Sequence, residues 1–294
     1  NRIGGLAHST TFRGPAALLG LLLLSGCGLA APQKGTPVSA TAAVADFESR
    51  VDQTDVQRTH VYFPASEDGT PAPARVRGGF VFVQGGAVGT SQYAWLAQTL
   101  AEQGFVVAVP EHDFDLAIVS IDRASEALRL LRQGPAHSAL DGLLLNRRVA
   151  LGGHSLGGVV AGKAQTLTAA DALVFLASYA DGADLPTLTA HPAPSLVLAG
   201  ADDCRAARAT VEQAAAQLPS PTVLSVLTGV THMQFTASDA ADLKAGCLAE
   251  VDLDTAHQRI ALSVQRFLEA VLVRRDGSQA AVLRAVPGAE VTAR

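Results

Sequence analysis

The sequence predicts an α/β protein in which a mostly parallel sheet is covered by helices on both faces. From about residue 57, short apolar runs alternate with longer segments of helical periodicity, which is the pattern typical of such sheets. Of the 294 residues, 48% are hydrophobic and 17% are charged, so the chain can bury a large core. No internal repeat is visible, and we expect one folded domain over residues 46–275.

The first elements are two extended runs at residues 57–64 and 74–83, separated by a turn-rich stretch. We expect these runs to pair as an antiparallel hairpin. Helical spacing follows over residues 91–103, and an apolar run of strand length occupies residues 105–109. Helical spacing then returns over residues 116–133.

The second half of the chain continues the alternation. Strands are predicted at residues 149–152, 172–178, 195–199 and 223–227, and helices at residues 156–169 and 255–274. Only about fifteen residues separate the second and third of these strands, which leaves no room for a helical cap domain. The tail at residues 276–294 has no clear periodicity and receives no assignment.

The amino-terminal segment is predicted to be an export signal over residues 1–26. Arg2 and Arg13 precede an apolar run at residues 15–24, which is too short to span a bilayer but is typical of a signal-peptide core. The run ends in Leu23-Leu24-Ser25-Gly26-Cys27, which resembles the lipobox of bacterial lipoproteins. That resemblance implies a lipid on Cys27; the alternative is an ordinary signal peptide with an incidental cysteine.

If Cys27 carries a lipid, the protein is exported and anchored to a membrane, in the periplasm or at the cell surface. Residues 27–45 are rich in Ala, Pro, Thr and Ser, and we expect them to form a flexible tether. An exported chain folds in an oxidising compartment, so Cys204 and Cys247 are predicted to form a disulfide that closes a loop of 43 residues, from 247 − 204. Two buried free thiols are the alternative.

The charge pattern excludes one class of partner. The net charge is −5 and basic residues do not cluster, whereas nucleic-acid binding needs a concentrated Lys/Arg face. We expect no nucleic-acid partner, no metal and no cofactor, and we expect a monomer.

One motif carries chemistry. Gly153-His154-Ser155-Leu156-Gly157 fits Gly-x-Ser-x-Gly and lies between a predicted strand and a predicted helix. This context is that of a nucleophile elbow, in which a sharp turn exposes a serine hydroxyl. The alternative is a glycine turn that only allows a helix and a strand to pack closely.

A serine hydroxyl is a weak nucleophile, so it needs a base and an acid that orients the base. Asp203 follows the strand at residues 195–199 and is our first candidate for the acid, with Asp202 second. His232 follows the last strand and fits the chain order Ser, Asp, His. His257 is the later rival for the base, and His154 is expected to pack beneath the elbow.

Acyl transfer also needs two backbone N–H groups to bind the developing oxyanion. Leu156 follows the nucleophile and supplies one donor. We expect the other from the glycine-rich loop after residues 80–83, at Gly86, with Ala87 as the alternative.

With these motifs, residues 57–273 resemble a small, lidless α/β-hydrolase, similar to the dienelactone hydrolase, chlorophyllase and bacterial cutinase or polyester-hydrolase group. Residues 83–107 are similar to the oxyanion loop, helix and strand of that group through Gln92, Trp95, Leu100 and Gly104-Phe105-Val106-Val107. The resemblance implies cleavage of carboxylic esters by Ser155, Asp203 and His232, with oxyanion donors at Gly86 and Leu156. Without a cap, the site suits a bulky or extended ester.

The chain differs from the families that it resembles at two positions. Dienelactone hydrolases use cysteine as the nucleophile, and polyester hydrolases commonly have methionine after it, where this chain has Leu156. The same triad could instead serve an acyltransferase or a thioesterase, since the acyl-enzyme is common to all. A catalytically inactive, lipid-anchored binding module is a further alternative. A dinucleotide-dependent oxidoreductase is disfavoured because residues 85–89 fail the Gly-x-Gly-x-x-Gly spacing.

Overall fold

The structure is a computed structural model that describes residues 42–52, 55–133, 142, 144 and 146–294. The predicted signal peptide, the predicted lipidation site at Cys27 and most of the predicted tether lie outside these residues. Within the described part of the chain, no helix combines the length and the hydropathy needed to cross a membrane.

The described residues contain one nine-stranded sheet. Its strands are β1 (Ala42–Asp52), β2 (Asp55–Pro64), β3 (Gly78–Val83), β4 (Phe105–Pro110), β5 (Val149–His154), β6 (Ala172–Leu176), β7 (Ser195–Gly200), β8 (Thr222–Leu227) and β9 (Ala289–Ala293). They lie in the order β1-β2-β4-β3-β5-β6-β7-β8-β9. The pairs from β4 through β8 are parallel, and the outer pairs β1–β2, β2–β4 and β8–β9 are antiparallel. The prediction of a mostly parallel sheet is confirmed.

Helices pack on both faces of this sheet. They are α1 (Ala94–Glu102), α2 (Asp122–Gln133), α3 (Leu156–Leu167), α4 (Leu185–Ala190), α5 (Arg208–Ala215), α6 (Ala240–Lys244), α7 (Leu253–Leu268) and α8 (Gln279–Arg284). A 3-10 turn at Thr90–Tyr93 precedes α1, and a π-helical turn at Glu269–Arg274 extends α7.

The core has two layers because side chains alternate along each strand. In β3, Phe80 and Phe82 pack in the layer that contains the apolar faces of α1 and α7. Val81 and Val83 point the other way, into the layer that contains α2 and α3. All four side chains are buried, and each contributes about 1.5–3 kcal/mol by leaving water.

The predicted hairpin between residues 57–64 and 74–83 is wrong. β2 pairs with β1 and β4, whereas β3 lies inside the sheet between β4 and β5. All six residues of β3 are buried, which suits a central parallel strand covered on both faces. The prediction assumed that strands adjacent in the sequence pair with each other. Here β4, which comes later in the chain, lies between β2 and β3.

Two predicted boundaries also change. β1 begins at Ala42, so residues 42–45 of the predicted tether belong to the sheet, and residues 42–52 form the true hairpin with β2. The unassigned tail contains α8 and β9, and β9 pairs antiparallel with β8 from Val223↔Ala293 to Leu227↔Ala289. β9 is a short edge strand without a fully buried residue, so it lacks the apolar alternation that identifies strands in a sequence.

The helix predicted over residues 116–133 is regular only from Asp122; a 3-10 turn at Ala117–Val119 precedes it. The long terminal helix starts two residues earlier than predicted. Asp252 caps it, since its carboxylate accepts the Thr255 N–H at 2.7 Å, and such caps stabilise a helix by about 1 kcal/mol.

Candidate active site

The loops after β3, β5, β7 and β8 leave the same edge of the sheet, because these strands are parallel. They carry Gly86, Ser155, Asp203 and His232 respectively. The carboxyl edge of a parallel sheet is where α/β proteins usually bind ligands. The fold therefore brings residues far apart in sequence to one edge.

Ser155 lies on the turn between β5 and α3. Its backbone has φ 51° and ψ −124°, and a positive φ of this kind costs a non-glycine residue about 1–3 kcal/mol. The Ser155 N–H donates to Leu176 O at 2.9 Å, and the Ser178 hydroxyl donates to Ser155 O at 2.5 Å. β6 and the residues directly after it thus hold the strained turn, and the Ser155 side chain remains half-buried at the edge of the sheet.

The glycines of the motif are required by close packing. A Cβ on Gly153 would lie 2.5 Å from the carbonyl carbon and oxygen of Gly157, and a Cβ on Gly157 would lie 2.3 Å from the carbonyl oxygens of Val83 and Gln84. Backbone atoms cannot move aside as a flexible side chain can. The strand and helix therefore meet at a distance that only glycine allows, as a nucleophile elbow needs.

His232 and Asp203 form a buried pair. His232 Nδ1 lies 2.8 Å from Asp203 Oδ2, and the two side chains are 5% and 0% exposed. The other oxygen, Asp203 Oδ1, accepts the backbone N–H groups of Arg205 and Ala206 at 2.8 and 2.7 Å. These three bonds fix the carboxylate, which in turn fixes the orientation of the imidazole.

The structure separates the two candidate acids. Asp203 contacts the histidine, whereas Asp202 Oδ2 is buried without a hydrogen-bond partner among the described residues. The rival base also lies elsewhere: His257 stacks on Trp95 with ring centroids 3.7 Å apart, and its Nε2 bonds to Thr236 O at 2.8 Å.

His154 packs beneath the elbow and is completely buried. Its ring centroid lies 4.7 Å from that of His232 and 5.7 Å from that of Phe235, so His232 sits beside the turn that carries Ser155. Burial, followed by the nearby His232, holds the pKa of His154 well below its usual value. Because His154 is neutral, it adds no positive charge next to His232.

The Ser155 hydroxyl has no hydrogen bond to His232 or to any other described residue. Catalytic hydrogen bonds are often long in a free enzyme and tighten only in the complex with substrate. What the fold supplies is an imidazole of fixed orientation beside the turn that carries the half-buried Ser155.

Backbone donors at the same edge differ in what they bind. Gly85 N–H donates to the Tyr93 hydroxyl at 2.9 Å, and Ala87 N–H donates to Asp115 O at 2.8 Å. Within the described residues, the N–H groups of Gly86 and Leu156 have no hydrogen-bond partner. The two residues are neighbours, since a Cβ on Gly86 would lie 3.1 Å from Leu156 Cδ2. The geometry thus favours Gly86 over Ala87 as the second free donor.

Asp242 is a site residue that the sequence analysis missed. It is 1% exposed; Oδ2 accepts the Met233 N–H at 2.6 Å and Oδ1 accepts the Arg205 guanidinium at 2.8 Å. Met233 follows the histidine of the buried pair and Arg205 lies two residues beyond its acid, so one carboxylate links both loops. The only hint in the sequence is that Asp242 lies between the two cysteines predicted to bond.

Those cysteines are joined, as the sequence predicts. Cys204 and Cys247 are at disulfide-bonding distance, with Cα atoms 6.1 Å apart, which is within the usual range for a disulfide. The bond ties the loop after β7 to the segment after α6. The ligand atoms of Asp242 and the two cysteines lie within 4.8 Å of one another, but the sulfurs bond each other and the carboxylate has the partners given above.

The segment between β4 and α2, residues 111–121, borders the loop of Gly86. Phe114 and Asp115 have φ values of 56° and 54°, and the Asp115 carbonyl accepts the Ala87 N–H. Phe114 is 89% exposed, and Ile118 and Val119 are also exposed. Exposed apolar side chains therefore occur in the segment whose backbone bonds to the loop of Gly86.

Between β6 and β7, the described residues form no cap over this edge. The described residues between β6 and β7 contain only the six-residue helix α4, which is far smaller than a helical cap domain. This matches the expectation that no cap domain is inserted between these two strands.

A mostly parallel sheet with a strand–serine–helix elbow, and with a His–Asp pair at the same edge, defines the α/β-hydrolase class. The sequence profile of the alpha/beta hydrolase family matches residues 79–240, which is more than half of the chain. The protein therefore belongs to the alpha/beta hydrolase family and is a hydrolase. A comparison with curated proteins finds no match to the chain.

Proposed function

We propose that the protein is a serine-dependent hydrolase of carboxylic esters, with Ser155 as nucleophile, His232 as base and Asp203 as the acid that orients it. The observation that carries the proposal is the 2.8 Å contact between His232 Nδ1 and Asp203 Oδ2, which leaves Nε2 available beside a strained serine turn. The roles follow from the chemistry of such an arrangement.

In the proposed reaction, His232 Nε2 takes the hydroxyl proton as Ser155 Oγ bonds to the ester carbonyl carbon. The carbonyl π electrons move to the oxygen, which accepts the N–H groups of Gly86 and Leu156. Loss of either donor from such a hole costs about 10²–10³ in rate. Collapse of the intermediate breaks the bond to the alkoxy oxygen, which leaves as the alcohol with the proton from His232. Water then repeats the sequence, releases the acid and regenerates Ser155.

Labelling of Ser155 tests the proposal. A fluorophosphonate should label the purified domain, and p-nitrophenyl butyrate should be hydrolysed. Ser155→Ala should abolish the label and lower kcat by at least about 10³-fold. Ser66→Ala, at an exposed turn, is the matched control and should keep both. A Ser155→Ala variant with full activity would overturn the proposal.

The substrate is proposed to be a bulky or extended ester. The open edge and the apolar residues Phe114, Ile118 and Val119 support this class, because they can contact an apolar substrate that is not enclosed. A series of p-nitrophenyl esters of increasing acyl length should show activity without a jump in rate at the solubility limit. A strong jump would indicate a moving lid and contradict the open site.

The fate of the acyl group is proposed to be hydrolysis. With an alcohol acceptor added in excess, the products should be mainly the free acid. If the new ester dominates even at low acceptor concentration, the protein is instead an acyltransferase with the same triad.

We also propose that the protein is exported and held at a membrane by a lipid on Cys27. The support is the sequence Leu23-Leu24-Ser25-Gly26-Cys27 after an apolar run. Cells expressing the whole chain and fed a fatty-acid analogue should label the protein, and Cys27→Ala should lose the label. Labelling that persists in Cys27→Ala, or is absent in the parent, would refute the anchor.

A further inference from the structure

Tyr93 lies at the junction of the two parts of the proposed site. It ends the 3-10 turn before α1 and is 0% exposed. Its ring packs against Phe82 of β3, with centroids 4.9 Å apart. A tyrosine is rarely buried unless its hydroxyl has a hydrogen-bond partner, so the partners of this hydroxyl are informative.

The hydroxyl bonds to two segments that are distant in sequence. It accepts the Gly85 N–H at 2.9 Å and lies 2.9 Å from His154 Nδ1. If Nδ1 carried the histidine proton, the Tyr93 proton would have no acceptor and Nε2 would have no donor. With Nδ1 as the acceptor, the Tyr93 proton is paired and the histidine proton lies on Nε2. Since unpaired buried groups are costly, the chain runs from Gly85 N–H to Tyr93 Oη–H to His154 Nδ1.

The atoms of this hydrogen-bonded link are tightly packed. A Cβ on Gly85 would lie 2.9 Å from Tyr93 Oη and 3.0 Å from His154 Nδ1. Gly85 directly precedes Gly86, and His154 directly precedes Ser155. One hydroxyl therefore sets the distance between the loop of Gly86 and the turn of Ser155.

We propose that Tyr93 is a positioning residue that holds the oxyanion donor at Gly86 in register with the Ser155 nucleophile. The inference rests on the proposed function of the site. Tyr93 touches neither substrate nor the reacting atoms; it acts through Gly85 and His154.

Tyr93→Phe tests the inference because it removes only the hydroxyl. The N–H of Gly86 remains but is no longer held, so the loss should be smaller than the 10²–10³-fold for a missing donor; we expect about tenfold in kcat with KM little changed. The pH dependence of kcat/KM should stay the same, because the His232–Asp203 pair keeps its contacts.

A pair of substrates separates positioning from general damage. A thionoester replaces the carbonyl oxygen with sulfur, a weak hydrogen-bond acceptor, so its cleavage depends less on the oxyanion donors. Tyr93→Phe should lower the ester-to-thionoester ratio of kcat/KM by about fivefold to tenfold. Ser195→Ala is the matched control, since it removes another buried hydroxyl at the opposite edge of the sheet, bonded to Ala193 O, and its ratio should equal that of the parent.

The outcomes are distinguishable from those of the proposed function. If the parent protein cleaves neither ester, the proposed function fails. If it cleaves both and Tyr93→Phe keeps the parental ratio, the positioning role of Tyr93 is overturned. Gly85→Ala places a Cβ against the Tyr93 hydroxyl and His154 Nδ1, so it should also lower the ester-to-thionoester ratio. This variant replaces Tyr93→Phe in the test if Tyr93→Phe does not fold.

Discussion

The two sides of the site are held in place by different means. The acid–base side consists of the loops after β7 and β8 together with α6, and it is cross-linked by the Arg205–Asp242 ion pair and the Cys204–Cys247 disulfide. The oxyanion side consists of the loop after β3 and residues 111–121. It is held by the Tyr93 hydroxyl, by backbone hydrogen bonds and by two side-chain contacts, the Gln84 Nε2 hydrogen bond to Asp115 Oδ1 and the Arg123–Asp113 ion pair.

Backbone conformation separates the two sides further. On the oxyanion side, the residues with positive φ are Ala87, Phe114 and Asp115, each of which bears a side chain. On the acid–base side, the described residues with positive φ are the glycines Gly229 and Gly246. A non-glycine residue in this region costs about 1–2 kcal/mol, so the oxyanion side stores strain that the acid–base side avoids.

This difference indicates how each side is positioned. The acid–base side must hold two side chains in contact, and links between loops achieve that. In the proposed mechanism, the oxyanion side must orient a backbone N–H, and orienting a peptide group requires control of φ and ψ. Strain that persists because its surroundings impose it is typical of functional sites.

The largest expected effect concerns the choice of acid on the acid–base side. Asp203→Asn removes the carboxylate that orients His232 and should lower kcat by about 10³–10⁴-fold. Asp202→Asn is the matched control: it changes the adjacent acid, which does not contact the histidine, and should change kcat less than about threefold. The measurement is steady-state hydrolysis of p-nitrophenyl butyrate by both variants. Equal losses of kcat would refute the assignment of Asp203 as the acid.

The second effect concerns the covalent link. Replacing Cys204 and Cys247 by serine removes a bond that closes a 43-residue loop, which should lower the free energy of unfolding by about 4 kcal/mol. Urea unfolding of the variant and the parent measures the change. The ester-to-thionoester ratio should not move, because the oxyanion side is untouched; a shift in that ratio would show that the two sides are not independent.

The sequence carries clear signals for the core of the fold and for the candidate site residues, but not for the edges of the fold. The alternation of apolar runs and helical segments is strong for buried elements such as β5 and α3. The elbow needs glycines at fixed spacing, so Ser155 can be recognised as a candidate nucleophile from a single sequence. β9 was not assigned because a short, partly exposed edge strand gains its stability from pairing with β8 rather than from its own pattern.

Residues that act through contacts were beyond sequence reasoning. Asp242 and Tyr93 belong to no motif, and their partners lie 37 and 61 residues away, at Arg205 and His154. The pairing of β2 failed for the same reason, because it depends on where β4 inserts. Local spacing indicates which residues can react, whereas tertiary contacts decide which residues support them.

The third effect is the response of the oxyanion side to acid. Burial, followed by the nearby Arg123, lowers the pKa of His112 to about 4. Unfolded His112 binds a proton near pH 6.5 and folded His112 does not. The free energy of unfolding therefore falls as the pH drops from about 6.5 to about 4.

Between pH 8 and pH 5, His112 should contribute a loss of about 2 kcal/mol. His112→Leu removes the titration, so urea unfolding at the two pH values should show a smaller loss for the variant. The buried His154 also destabilises the fold in acid, but it is present in both proteins and cancels in the comparison. Identical pH dependence in parent and variant would contradict the prediction.

The smallest effect tests whether the strain at Phe114 serves the substrate. Phe114→Gly relieves a positive φ but loosens the unfolded chain, so the free energy of unfolding should rise by no more than about 1 kcal/mol. Arg275→Gly is the matched control, since Arg275 is exposed and has φ 56° at the end of the π-helical turn, and it should gain similar stability. Only Phe114→Gly should lose activity, by about threefold to tenfold in kcat/KM for bulky esters and less for acetate, because only Phe114 lies in the segment whose backbone bonds to the loop of Gly86. Equal activity of the two variants on every ester would mean that the Phe114 ring does not contact the substrate. The positive φ at Phe114 would then serve only to place the Asp115 carbonyl where it accepts the Ala87 N–H.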